Sequence, residues 1–144
     1  MPALDDVNTF SIVAYDPERQ EWGVGVASKY LAVGSAVPFA KAGVGAVATQ
    51  ASVRVSWGPE ALDLLAKGTS VADVIKALTE ADNKSVSRQL GVIDAKGAAA
   101  AFTGPKCVSY AGHKTGTNYA CQGNLLAGER VITDMAKVFE ESKG

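Results

Sequence analysis

TFSIVAYDPERQEWGVGVASKYLAVGSAVPFAKAGVGAVATQA, residues 9–51, decides how the rest of the chain is read. Phe10, Ile12 and Ala14 alternate with Ser11, Val13 and Tyr15, a period of two that marks a strand. Asp16-Pro17-Glu18-Arg19-Gln20 supplies a polar turn, and Trp22, Val24 and Val26 then alternate with Gly23, Gly25 and Ala27. The pattern predicts a hairpin over 9–15 and 21–28 with one bulky face and one nearly bare face. A bare face of Gly and Ala admits close approach of another backbone, so tight cover is expected there. Residues 44–51 are again small and β-branched and suit a buried strand.

Outward from this block, 32–36 and 43–50 read as further strands. Pro59 suits the first turn of a helix and Gly68 its end. Ser70 opens a second helix, with Asp73 at capping-box spacing and Val71, Val74, Ile75 and Leu78 as its apolar stripe. Residues 88–93 and 98–103 read as strands joined by the turn Asp94-Ala95-Lys96-Gly97. Shorter strands are expected at 107–110 and 117–122, with residues 111–116 as a loop between them. Ile132, Met135, Ala136 and Phe139 share one face of a final helix over 129–141. Strands and helices come in blocks, which points to an α+β architecture rather than alternating βαβ units. Neither a linker nor a repeat interrupts the chain, so residues 1–144 read as one domain.

Composition narrows the function classes. The 144 residues are 47% hydrophobic, and 14 basic residues balance 15 acidic ones for a net charge of −1. That gives no electrostatic footprint for nucleic acid. No run approaches the roughly 18 apolar residues of a membrane span, and residues 1–8 lack the regions of a signal peptide, so a cytoplasmic location is expected. Two cysteines and one histidine make a structural zinc site improbable, and Cys107 and Cys121 are expected to be free thiols. No cofactor or metal is expected. Gly43-Val44-Gly45 lies in a strand context with no helix after it and fails the dinucleotide test.

Five blocks carry a resemblance: TFSIVAYD at 9–16, EWGVGVASK at 21–29, KAGVGAVATQA at 41–51, AGHKTG at 111–116 and QGNLLAG at 122–128. In this order they resemble the family called domain of unknown function 1028, which is grouped with the N-terminal-nucleophile (Ntn) hydrolases. The resemblance implies an Ntn-hydrolase-like αββα sandwich, two antiparallel sheets face to face with helices outside. It also implies an amidohydrolase acting on an amide or related C–N bond of a small substrate. The alternative is a non-catalytic module of the same fold that binds a small molecule or another subunit. Members of that family usually continue past the final helix. A chain ending at residue 144 would therefore be a short variant or a fragment with an uncovered edge, and a homo-oligomer, most simply a dimer, is expected to cover it.

Thr9 is the sharpest catalytic candidate, because a threonine heading such a strand presents a nucleophile whose own α-amine serves as base. Residues 1–8 are then a leader whose removal frees that amine. Ntn hydrolases of the proteasome type set a buried lysine downstream of the nucleophile. Lys41 matches by position, and Lys29 stands beside Ser28 at the end of the second strand. The acidic partner of that pattern falls near Ser28, which would have to supply the polar contact instead. His113, the one histidine, sits among glycines and titrates near neutrality. Gln122 and Asn124, and less strongly Gln50, offer amides to orient a substrate or hold an oxyanion. A Cys107 or Cys121 thiol paired with His113 is a further, weaker arrangement.

Overall fold

A computed structural model describes residues 7–142 and contains two four-stranded antiparallel sheets and three helices. The first sheet, in the order β2-β1-β8-β7, comprises β1 (Thr9–Asp16), β2 (Glu21–Ser28), β7 (Gly112–Gly116) and β8 (Tyr119–Asn124). The second, in the order β3-β4-β5-β6, comprises β3 (Pro38–Lys41), β4 (Gly45–Ala51), β5 (Arg88–Asp94) and β6 (Ala99–Thr103). The sheets face each other. Helices α1 (Trp57–Ala66) and α2 (Val71–Glu80) cover the outside of the second sheet, and α3 (Arg130–Glu141) covers the outside of the first. The result is an α+β sandwich of four layers.

Local chemistry explains the elements. Asp16 Oδ1 accepts from the Glu18 and Arg19 amides at 2.9 and 3.2 Å, closing the polar turn between β1 and β2. The two strands pair in full register from Thr9 opposite Ser28 to Asp16 opposite Glu21. Asp94 Oδ1 likewise accepts from Lys96 and Ala98, and Gly97 takes the left-handed conformation that this turn requires. Ser70 caps α2, its Oγ accepting from the Asp73 amide at 3.2 Å. Trp57, Leu62, Leu65, Val74 and Leu78 bury the inner faces of α1 and α2 against Val47, Leu90 and Val92. Each such side chain contributes about 1.5–3 kcal/mol of burial, which fixes the helices on the sheet.

The structure corrects four expectations. Residues 32–36 form no strand; Val33–Ser35 is a 3-10 turn, and the strand begins at Pro38, where the missing N–H is tolerated on an edge. Residues 107–110 are bend and irregular chain, whereas 112–116, expected as a loop, form edge strand β7 on β8. The strand expected over 117–122 runs from Tyr119 to Asn124, so Gln122 and Asn124 lie within it. The bare face of the hairpin is open in this chain. Gly23, Gly25 and Ala27 are exposed, because α3 covers β1, β8 and β7 but does not reach the edge strand β2. Trp22, Val24 and Val26, on the opposite face, pack between the sheets.

Candidate functional site

Thr9 begins β1 at the centre of the first sheet, opposite Ser28 on one side and Asn124 on the other. Its Oγ1 lies 2.9 Å from Ser28 Oγ, which also accepts from the Tyr30 amide at 3.0 Å. The Thr9 side chain faces between the sheets and lines a cavity of about 400 Å³ with Gln50, Asn124, Ser52, Lys106 and Cys107. That volume lies within the range of small-molecule sites. Two lining residues, Ala51 at φ 67° and Leu125 at φ 55°, adopt left-handed backbone conformations uncommon for such side chains. Each directly follows an amide residue, Gln50 or Asn124, and turns the chain away at the cavity wall. Val7 lines the cavity beside Thr9.

Behind the cavity the sandwich interior is polar. Ser11 stands opposite Gln122 in the first sheet, and Gln50 opposite Gln89 in the second. The pairs join across the layer. Gln122 Nε2 donates to Ser11 Oγ at 2.7 Å, Ser11 Oγ to Gln50 Oε1 at 2.6 Å, and Gln50 Nε2 to Gln89 Oε1 at 2.8 Å. Asn124 Nδ2 donates to the same Gln89 oxygen at 3.0 Å. Gln89 Nε2 lies within 3.0 Å of three acceptors, Thr103 Oγ1, Gly112 O and Gly123 O, more than its two protons serve at once. Gln89 and Gln122 are 0% exposed. Buried amides persist only when bonded, and among the described residues one buried side-chain atom, Gln122 Oε1, lacks a partner. It lies over Gly91, 2.1 Å from where a Cβ would stand, so only glycine fits beneath it.

The residues singled out from the sequence divide into two groups. Thr9, Gln50 and Asn124 line the cavity, and Ser28 joins them through its bond to Thr9. Gln122 sits behind it, in contact with Ser11 rather than with the open space. Lys29 follows Ser28, is exposed, and does not line the cavity. Lys41 is exposed at the other end of the sandwich; it pairs with Gly45, which pairs with Asp94, whose carbonyl accepts from Trp22 Nε1 at 3.0 Å. His113 lies on β7, two strands or about 10 Å from β1, and is exposed rather than in a loop at the cavity. Its Nδ1 is 2.8 Å from Thr103 Oγ1. Desolvation by the protein around the ring lowers the His113 pKa.

The thiols do not form a hydrolase pair. Cys107 and Cys121 are both free. Burial raises the Cys107 pKa, and burial first of all pushes Cys121 up to about 11. Neither is a thiolate near neutrality. His113 shares the face of its partner Gln122, so Cys121, next along β8, points to the opposite face, under α3. Among the described residues no three His, Cys, Asp or Glu stand close enough to hold a metal ion, and no helix is long and apolar enough to cross a membrane. Ser11, Gln89 and Thr103 were not singled out from the sequence. The available signal was one or two polar residues on the inward face of several otherwise apolar strands.

Fold and cavity define a two-sheet α+β sandwich whose polar end holds a threonine at the head of a central strand. The chain belongs to a family of unknown function, DUF1028, whose model matches residues 9–144. It is similar to the crystal structure of protein SPO2555 from Silicibacter pomeroyi, which carries the same family model, at 34% identity and a TM-score of 0.92. The match covers 95% of this chain and 61% of that one. No curated protein matches the chain.

Proposed function

We propose that this chain carries an amidohydrolase site of the Ntn type, cleaving a small amide with Thr9 as nucleophile. The observation that supports it best is the position of Thr9: first residue of a central strand, hydroxyl on Ser28, side chain on a cavity between two facing sheets. In the reaction, Thr9 Oγ1 attacks the amide carbonyl carbon while the α-amine takes the hydroxyl proton. The C–N bond breaks, the ammonium returns the proton to the departing nitrogen, and a Thr9 ester remains. Water then adds to the ester and releases the acid, regenerating the hydroxyl. An α-amine titrates near pH 8, so it serves as base at working pH. Asn124, held by Gln89, offers an amide on the cavity wall to steady the oxyanion.

The chemistry requires Thr9 to be a chain terminus. While Asn8 is attached, the Thr9 nitrogen is a peptide nitrogen and accepts no proton. Removing residues 1–8 would free the amine and also take Val7 from the cavity wall. Residues 1–6 of that leader lie outside the described residues. Lys41 is too far away to assist, and Ser28 supplies the polar contact to Thr9 where the proteasome pattern has an acidic partner. The reading extends to a cytoplasmic homo-oligomer, a dimer in its simplest form, in which a second copy covers the exposed Gly23, Gly25 and Ala27 face. Thr9→Ala in a chain that starts at residue 9 should abolish hydrolysis without shifting the urea midpoint by more than a small amount, and Thr9→Ser should retain part of the rate. Full activity in the Thr9→Ala protein would refute the assignment. Turnover of no amide by either protein would instead favour the non-catalytic binding module.

A further inference from the structure

Besides Thr9, Gln50 and Asn124, the cavity is lined by a second set of polar residues. The Lys106 amide donates to Val86 O at 2.8 Å and the Ser52 amide to Ser87 O at 3.1 Å, which ties Lys106, Ser87 and Ser52 into one corner. All three line the cavity. Among the described residues Lys106 is the one charged residue in the lining, and no Asp, Glu, His or Arg joins it. No ion pair among the described residues involves Lys106. The acidic group near this end is already engaged: Asp82 is held by Arg88 at 2.9 Å and Arg54 at 3.5 Å, and Arg54 also reaches Glu60. Val33, Val37, Val53 and Val108 add apolar lining to the same cavity.

We infer that Lys106 is a specificity-determining residue and that the ligand is a small N-acylated amino acid, or an equivalent amide bearing a carboxylate. The carboxylate lies against Lys106 and the Ser52 and Ser87 hydroxyls, and the acyl group rests on the valines with its carbonyl toward Thr9. This rests on the amidohydrolase reading for the identity of the bond, but the charge preference does not depend on turnover. One exposed ammonium matches one negative charge. A cationic ligand would meet Lys106 with no acid to offset it, and a phosphate dianion would find neither a second basic group nor a glycine-rich cradle in the lining. A charge-assisted hydrogen bond of this kind supports roughly a tenfold preference.

Calorimetry on the full chain with N-isobutyrylglycine and its neutral counterpart N-isobutyrylglycinamide tests this. The acid should bind about tenfold more tightly. Lys106→Met should remove the difference and Lys106→Arg should restore it; Lys106 is exposed, so neither substitution threatens the fold. The acid should also slow labelling of Cys107, which lines the same cavity, while Cys121 is fully buried and stays unlabelled. Equal affinities, a preference that survives Lys106→Met, or no binding of the acid at millimolar concentration would each overturn the inference. Discrimination of the pair by the full chain, with hydrolysis of neither by a chain that begins at Thr9, would overturn the hydrolase reading alone. Equal hydrolysis of acid and neutral amide would overturn the carboxylate inference alone.

Discussion

The layer between the two sheets has two halves of opposite chemistry, although the same strands run through both. At one end Val13, Ala46, Ala48, Ile93 and Ala120 pack as an apolar core, closed by Trp22 stacked on Tyr15 at a centroid distance of 4.9 Å. At the other end the same strands contribute Ser11, Gln50, Gln89 and Gln122, which bond to one another and lead to the cavity at Thr9. The apolar half gains free energy from burial. The amide half gains little net, since each of its bonds replaces one to water, yet it is costly to disturb because a stripped partner stays buried. One end therefore holds the sandwich together, and the other holds Asn124 and Gln50 in fixed orientation on a cavity wall.

The largest effect that separates the halves is expected at Gln89. Gln89→Ala removes the acceptor of Gln50 and Asn124 and the donor to Gly112 O and Gly123 O. With about 1–3 kcal/mol for each buried group left unpaired, urea unfolding should show a loss of about 4 kcal/mol. Ile93→Ala, in the apolar half, should cost about 3 kcal/mol through its cavity. A Gln89→Ala loss below that of a surface substitution would mean that the amides are not a connected unit.

Gly91→Ala comes next. Its Cβ would stand 2.1 Å from Gln122 Oε1, so the amide must move and its bond to Ser11 breaks. A loss of about 2 kcal/mol is expected from this overpacking. Gln122→Ala in the same chain should relieve the clash and make the two losses less than additive.

Acid should also expose the polar end, by the smallest effect of the set. The folded protein lowers the His113 pKa below its ordinary 6.5, so the unfolded chain binds more protons in that interval. Stability should be level above pH 6.5 and fall as pH drops from there through the lower folded value. His113→Asn should flatten this slope in the urea midpoint. Asp82, whose pKa the Arg88 hydrogen bond lowers below 3.8, acts in a separate window. Its contribution is present above its unfolded value and is lost as pH falls further, with or without His113.

Much of the sandwich was legible because its strands carry period-two patterns. The hairpin read over 9–15 and 21–28 is β1 and β2 to within a residue, and Ser70 and the 129–141 stripe located α2 and α3. Strand β7 was hidden because GHKTG has no apolar alternation; it is a strand by virtue of its pairing with β8. The exposure of Gly23, Gly25 and Ala27 was equally unreadable, since it depends on how far α3 reaches across the sheet. At the site, Thr9, Ser28, Gln50 and Asn124 were legible one at a time. Their convergence with Gln89, and the entry of Lys106 and Cys107 into the same cavity, depend on sheet-to-sheet packing that no local pattern encodes.

The central claim is that a free Thr9 amine turns the polar end into an acylating site. Treating two proteins with a small β-lactone tests it most directly, one chain beginning at Thr9 and the other retaining residues 1–8. Ring opening by Thr9 Oγ1 leaves an ester on Thr9 and a new hydroxyl on the reagent, visible as one adduct by intact mass and assignable by peptide mapping. The predicted result is a single adduct on Thr9 in the first chain, absent from its Thr9→Ala variant and from the chain with its leader. Equal labelling of both chains, or no labelling of the chain that begins at Thr9, would contradict the account.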